Sequence, residues 1–214
     1  MTTVKREPVM VAGKDRTADE RRRISDQETG RSLIFLVGVL AGIGAIIVVL
    51  TAPAQVLTGE SAHAVTSALH ATVAGLLMVA TAIGVYQGYR LFEGRATSVS
   101  EIQIATAVTA ALSALTILFG NWIYAVYRPP AGSRDSFLSS SPALHQIFFE
   151  FKEFTALFTL PLAVVAAFLA YYYGKELLTN ERLRVLVAVV LVLVFSYFLV
   201  AFGLGSAIPK LKAE

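Results

Sequence analysis

The chain of 214 residues contains no cysteine. That excludes disulfides, thiolate metal sites, iron–sulfur ligation and covalent c-type haem attachment, so any cofactor must be held by histidine, carboxylate or non-covalent packing. Charge is scarce as well: 15% of the residues are Asp, Glu, Lys or Arg, against roughly 25% in average soluble domains. So little charge cannot cover a water-exposed surface. The sequence also lacks a P-loop, a Rossmann glycine fingerprint after a strand, a G-x-S-x-G elbow and an H-E-x-x-H pair, so no motif assigns a reaction. Inverted repeats with broken apolar segments, the mark of many secondary transporters, are missing too.

What remains is strongly apolar, at 56% hydrophobic residues with a mean hydropathy of +0.66, and a bilayer is the natural solvent for such a chain. The net charge of +3 and pI of about 9.2 come from basic residues flanking apolar runs. With no basic stripe interleaved with aromatics, nucleic acid is not an expected partner.

Residues 1–31 alternate acids and bases without helical apolar periodicity and read as a charged cytoplasmic segment. Apolar runs then follow at about 33–52, 63–89, 102–127, 142–173 and 183–204. Each is long enough for the roughly eighteen to twenty residues that cross a hydrocarbon core, and none alternates as a barrel strand does. Ala52-Pro53-Ala54 has the look of a small-residue cleavage site, but the long charged leader argues for a retained helix. The expected fold is therefore an all-α integral membrane protein. About five transmembrane helices lie within residues 32–206, followed by a short basic tail over 207–214.

Placing the N-terminus in the cytoplasm puts thirteen Lys and Arg inside and five outside, the sense of the positive-inside bias. The C-terminus is then outside, in the inner or plasma membrane of the cell. The runs beginning at His63 and Pro142 both start at the outer face, and the loop from Arg128 to Ser141 lies outside as a cap or partner surface.

Small and polar residues mark the faces where helices meet in lipid. His63, Ser67, His70, Ala74, Leu77, Thr81, Gly84 and Gly88 form one such stripe. Thr106, Thr109, Ser113, Thr116 and Gly120 form a second, and His145, Phe149, Lys152, Ala156, Thr159, Ala163, Ala167, Ala170 and Gly174 a third. The Thr and Ser hydroxyls are expected to bond back to their own helices. The run 183–204, nearly all Leu, Val and Phe, reads as peripheral and lipid-facing.

The ionisable residues at membrane depth are the candidates for function. His63, His70 and His145 fall near the outer ends of two parallel runs, with Glu150, Lys152 and Glu153 beside them. Seven residues, about 10.5 Å of helix, separate His63 from His70. A two-tier arrangement follows, with His63 opposite His145 above and His70 near Lys152 and Glu153 below. One reading is a b-type haem held by His63 or His70 and by His145. Another is a quinone pocket in which His70 and Glu150 or Glu153 accept the protons of a quinol. Trp122, Tyr124, Tyr127, Phe148, Phe149, Phe151 and Phe154 would wall it, although Trp122 and Tyr127 also suit an interfacial aromatic belt. A non-haem metal site is less well supplied, because Glu60 and His63 make the single E-x-x-H unit where a di-iron bundle needs two. The plain alternative is an interfacial network, with Lys152 paired to Glu150 or Glu153 and His145 facing water.

The leading expectation is thus a small membrane electron-transfer subunit, haem-binding or quinone-reactive near the outer face, working with other membrane or soluble redox subunits or with copies of itself. A non-catalytic assembly or anchoring subunit of a larger complex is the second, and proton or ion transport through Glu150, Lys152 and Glu153 the third.

Overall fold

The computed structural model describes Gly59, residues 61–130 and residues 133–212. The charged segment 1–31, the apolar run 33–52 and Glu60 lie outside the described residues. Every described element is helical: α1 (Ala62–Phe92), α2 (Val99–Tyr127), the short α3 (Ser133–Ser140), a π-helical turn (Leu144–Phe149) running directly into α4 (Glu150–Tyr173), a single turn α5 (Glu176–Thr179) and α6 (Glu181–Lys212). Four stretches among them, His63–Phe92, Val99–Ala125, Leu144–Tyr173 and Glu181–Ile208, are long and apolar enough to cross a membrane, as a multi-pass membrane protein requires.

Local chemistry sets the ends of these helices. Ser61 caps α1 by accepting a hydrogen bond from the Ala64 N–H at 3.2 Å, satisfying one of the free donors of the first turn. The chain leaves α1 through Gly94 at φ +70°, where a β-carbon would stand 2.7 Å from Nη1 of Arg184. The positive φ calls for glycine there, while the guanidinium, at the end of a flexible side chain, could move aside. Asn180 opens α6, its Oδ1 accepting from the N–H groups of Arg182 and Leu183.

The four long helices run up, down, up and down, and each packs on two neighbours: α1 on α2 and α6, and α4 on α2 and α6. Helices α1 and α4 therefore sit diagonally across the bundle. Inside lie Thr81, Thr106, Thr109, Ser113, Thr116, Thr155 and Thr159, while Leu76, Val79, Ile83, Ile104, Leu118, Leu157, Val164, Phe168 and Val189 face outward. So broad an apolar exterior is foreign to a water-soluble monomer and usual in lipid. The buried Thr hydroxyls donate to carbonyls one turn back, as in Thr81 to Met78, Thr109 to Ala105 and Thr116 to Leu112.

Helix α6 is not peripheral. It buries Val187, Leu191, Val194, Phe198 and Ala201 between α1 and α4. The Leu191 side chain packs against both Gly84 and Gly88, its methyl carbons 3.4 Å from where a β-carbon on either would sit. Lipid is as apolar as leucine, so apolarity alone does not tell an outward face from one that docks on glycine or alanine. The same helix runs on through much of the segment expected as a tail, to Lys212.

One end of the bundle holds the exposed turn at Gly94, the fully buried Leu91, Ile102, Leu177 and Val187, and the bond from Gln103 Nε2 to the Ala170 carbonyl at 3.2 Å. An ion pair between Arg90 and Glu101 at 2.8 Å lies at this end. The opposite end brings together the start of α1, the end of α2, the start of α4 and the end of α6. The histidines are there.

Candidate functional site

Small side chains on all four helices leave a cavity of about 400 Å³ at the histidine end. His70 and Ala74 line it from α1, Gly120 and Asn121 from α2, Lys152, Glu153 and Ala156 from α4, and Phe198, Ala201 and Gly205 from α6. Two glycines bed the polar groups. Cε1 of His70 lies 3.3 Å from the position of a β-carbon on Gly120, and Cε of Lys152 lies 3.4 Å from that on Gly205.

His70 Nδ1 stands 3.0 Å from the backbone carbonyl of Thr116. A carbonyl can only accept, so Nδ1 carries the proton and donates it. Nε2 is then the ring's lone-pair nitrogen, available as a base or ligand, in an orientation set by the backbone of the neighbouring helix.

A second cavity, of about 330 Å³, adjoins the first. Tyr124, Arg128 and Glu153 border both, and Tyr127, Arg134, His145, Phe149 and Glu150 complete the second. His145 is 5% exposed. Its ring lies nearly parallel to those of Tyr127 and Phe149, with centroids 6.0 and 5.4 Å away. His145 and Phe149, four residues apart on the π-helical turn, share one face. The Glu150 N–H bonds to the His145 carbonyl five residues back. Phe137 of α3 and Ile208 of α6 join Tyr127 in closing this end of the bundle. Burial raises the Tyr127 phenol above its ordinary range, with Arg134 opposing the shift.

The histidines therefore do not share one site. His70 lines the first cavity, His145 the second, and His63 is exposed on the opening turn of α1. Of the two expected tiers, His70, Lys152 and Glu153 line one cavity, while His63 lines neither cavity and His145 lines the second. Two features of the plain network reading are overturned. His145 is buried rather than facing water, and Lys152 makes no ion pair with Glu150 or Glu153. Its ammonium stands over the Phe149 ring at 5.3 Å instead. Glu150 approaches His145 at 3.9 Å. Tyr124 belongs to both cavities, with Arg128 over its ring at 4.6 Å, while Trp122 is exposed and lines neither. Phe148, Phe151 and Phe154 also point outward and wall neither cavity.

Sequence reasoning passed over Asn121, Arg128, Phe198 and Gly205. Arg128 sits at the end of an apolar run, where a basic residue signals only topology. Gly205 gains meaning once α6 is known to enter the bundle. Among the described residues no three His, Asp or Glu side chains are grouped to hold a metal ion. No family model matches the sequence, and neither the curated proteins nor the solved structures include a match to it.

Proposed function

We propose that this chain is a quinone-reactive subunit of an electron-transfer system, with its histidine end at the outer face of the plasma membrane. The observation that carries the reading is the first cavity: an imidazole with a free Nε2, an ammonium and a carboxyl group, with Asn121, Tyr124 and Arg128 beside them, around a space whose remaining lining is mostly Ala, Gly, Leu, Ile and Phe. A quinone needs such a setting, with an apolar slot for the ring and tail and a few polar groups for the carbonyl oxygens. Lys152 and Asn121 are donors suited to the quinone oxygens. His70 Nε2 and Glu153 are acceptors suited to the quinol hydroxyls.

In the oxidising direction a quinol loses two protons and two electrons. The protons pass to His70 Nε2 and to Glu153. The electrons pass one at a time to a haem or iron–sulfur carrier in a partner subunit. The separation of His145 from His70 favours this reading over a haem held by two histidines, since the two imidazoles open on different cavities.

The single tryptophan, Trp122, supplies the test. Titrating the purified protein in nanodiscs with a short-chain quinone should quench its fluorescence with saturation. His70→Leu and Glu153→Gln should each weaken the effect by about tenfold, the cost of one or two lost hydrogen bonds. Quenching that never saturates, or that both variants leave unchanged, would refute the proposal. A dithionite-reduced spectrum with sharp Soret and α bands would favour the haem reading instead.

A further inference from the structure

Among the described residues, seven buried side-chain polar atoms have no protein hydrogen-bond partner, and five of them belong to residues that line the second cavity: the Tyr124 and Tyr127 hydroxyls, both ring nitrogens of His145, and Oε1 of Glu153. Folded proteins rarely leave such atoms unsatisfied, and where they cluster around a polar space, water fills it. At about 30 Å³ per molecule, 330 Å³ has room for several waters. Glu153 borders both cavities. At the other side Glu150, with its side chain 61% exposed, brings Oε1 to 3.9 Å from His145 Nδ1.

We infer that the second cavity is a hydrated proton exit and that His145 is its relay residue. This inference rests on the proposed quinone site for the source of its protons. A proton reaching Glu153 from the first cavity passes to cavity water. Water then delivers a proton to His145 Nε2, Nδ1–H releases one through a bridging water to Glu150, which at 3.9 Å is beyond direct hydrogen-bond reach, and Glu150 gives it to bulk solvent. The imidazole gains a proton on Nε2 and loses one from Nδ1, ending neutral in the other tautomer, and transfer of that proton from Nε2 to Nδ1 through cavity water restores it for the next turn. Arg128 and Arg134 line this space together with Glu150 and Glu153, with Tyr124 and Tyr127 as further hydrogen-bonding stations. The parallel rings of Tyr127 and Phe149 hold the imidazole plane in place, so that its two nitrogens serve opposite sides.

The test needs no quinone. Infrared spectroscopy after a pH jump, on the full chain in nanodiscs, follows conversion of the Glu153 carboxylate to the acid, identified by its loss in Glu153→Gln. His145→Phe should slow that conversion by about tenfold or more, within the range that positioned proton donors and acceptors supply. The final amplitude and the quinone titration should be unchanged. Glu150→Gln should slow it as well, and His145→Gln provides a second substitution if Phe disturbs the ring stack. Rates equal to wild type in folded His145 and Glu150 variants would overturn the relay. Failure of wild type to bind quinone would overturn the functional reading while leaving the relay to be judged on these rates.

Discussion

Gly120 offers the sharpest test of how the first cavity is built. An alanine there would place its β-carbon 3.3 Å from Cε1 of His70, inside the roughly 3.5–4.0 Å at which carbon atoms pack best. The imidazole must yield by a few tenths of an ångström. Its bond to the Thr116 carbonyl, now 3.0 Å, then stretches toward the long end of the useful range. That forfeits part of a bond worth about 1 kcal/mol. Against this, alanine in place of glycine favours a helix interior by about 1 kcal/mol. The two effects nearly cancel in global stability and do not cancel at His70. Gly120→Ala should therefore melt close to wild type yet bind quinone about two- to fivefold more weakly, the factor that a fraction of 1 kcal/mol supplies. Gly120→Leu projects into the cavity and should abolish binding in a protein that still folds. The assays are the Trp122 titration, thermal melting, and imidazole nitrogen NMR of His70 under conditions where the ring is neutral. The reasoning fails if wild-type His70 carries its proton on Nε2, or if folded Gly120→Leu binds quinone as wild type does.

Other consequences are equally open to measurement. Gly88→Leu should prevent α1 and α6 from docking, because even a β-carbon there meets the Ala188 backbone at 3.4 Å, whereas Gly203→Leu has no atom within 4 Å of its β-carbon and should be tolerated; size-exclusion profiles and melting in detergent compare the two. The raised Tyr127 phenol means that folding favours its protonated form. That contribution is complete below the unfolded value of about 10 and is lost as pH rises through the higher folded value. Melting temperature should therefore fall above pH 10 less steeply in Tyr127→Phe than in wild type. The cysteine-free background allows single-cysteine labelling with an impermeant maleimide. Ser139→Cys should react in intact cells and Thr97→Cys only after permeabilisation, and the reverse pattern would invert the orientation proposed for the bundle.

The sequence displays the long helices and their inward faces well, because helical length and small-residue spacing are local properties. The stripe Ala74, Leu77, Thr81, Gly84 and Gly88 is buried along its length, as are Thr106, Thr109, Ser113 and Thr116. Which helices adjoin was not legible. Stripes on α1, α2 and α4 look alike, and nothing local reveals that α1 and α4 face each other across a diagonal or that Leu191 fills the notch at Gly84 and Gly88. The grouping of His70 with Lys152 and Glu153 could be read by counting residues from the helix starts. The separation of His145 could not, since it depends on a π-helical turn and on a ring stack with Tyr127 from another helix. Lys152 is a similar case. Neighbouring glutamates in sequence suggest an ion pair, but the ammonium settles over Phe149 and against Gly205.

The unequal ends of the bundle also have a mechanical meaning. At the Gly94 end, branched side chains such as Leu91, Leu177 and Val187 interlock, and prying them apart would sacrifice many close contacts. Around the first cavity the lining is instead small, with Ala74, Gly120, Ala156, Ala201 and Gly205, which have few side-chain contacts to lose. The two ends therefore differ in how much packing an added methyl group would disturb.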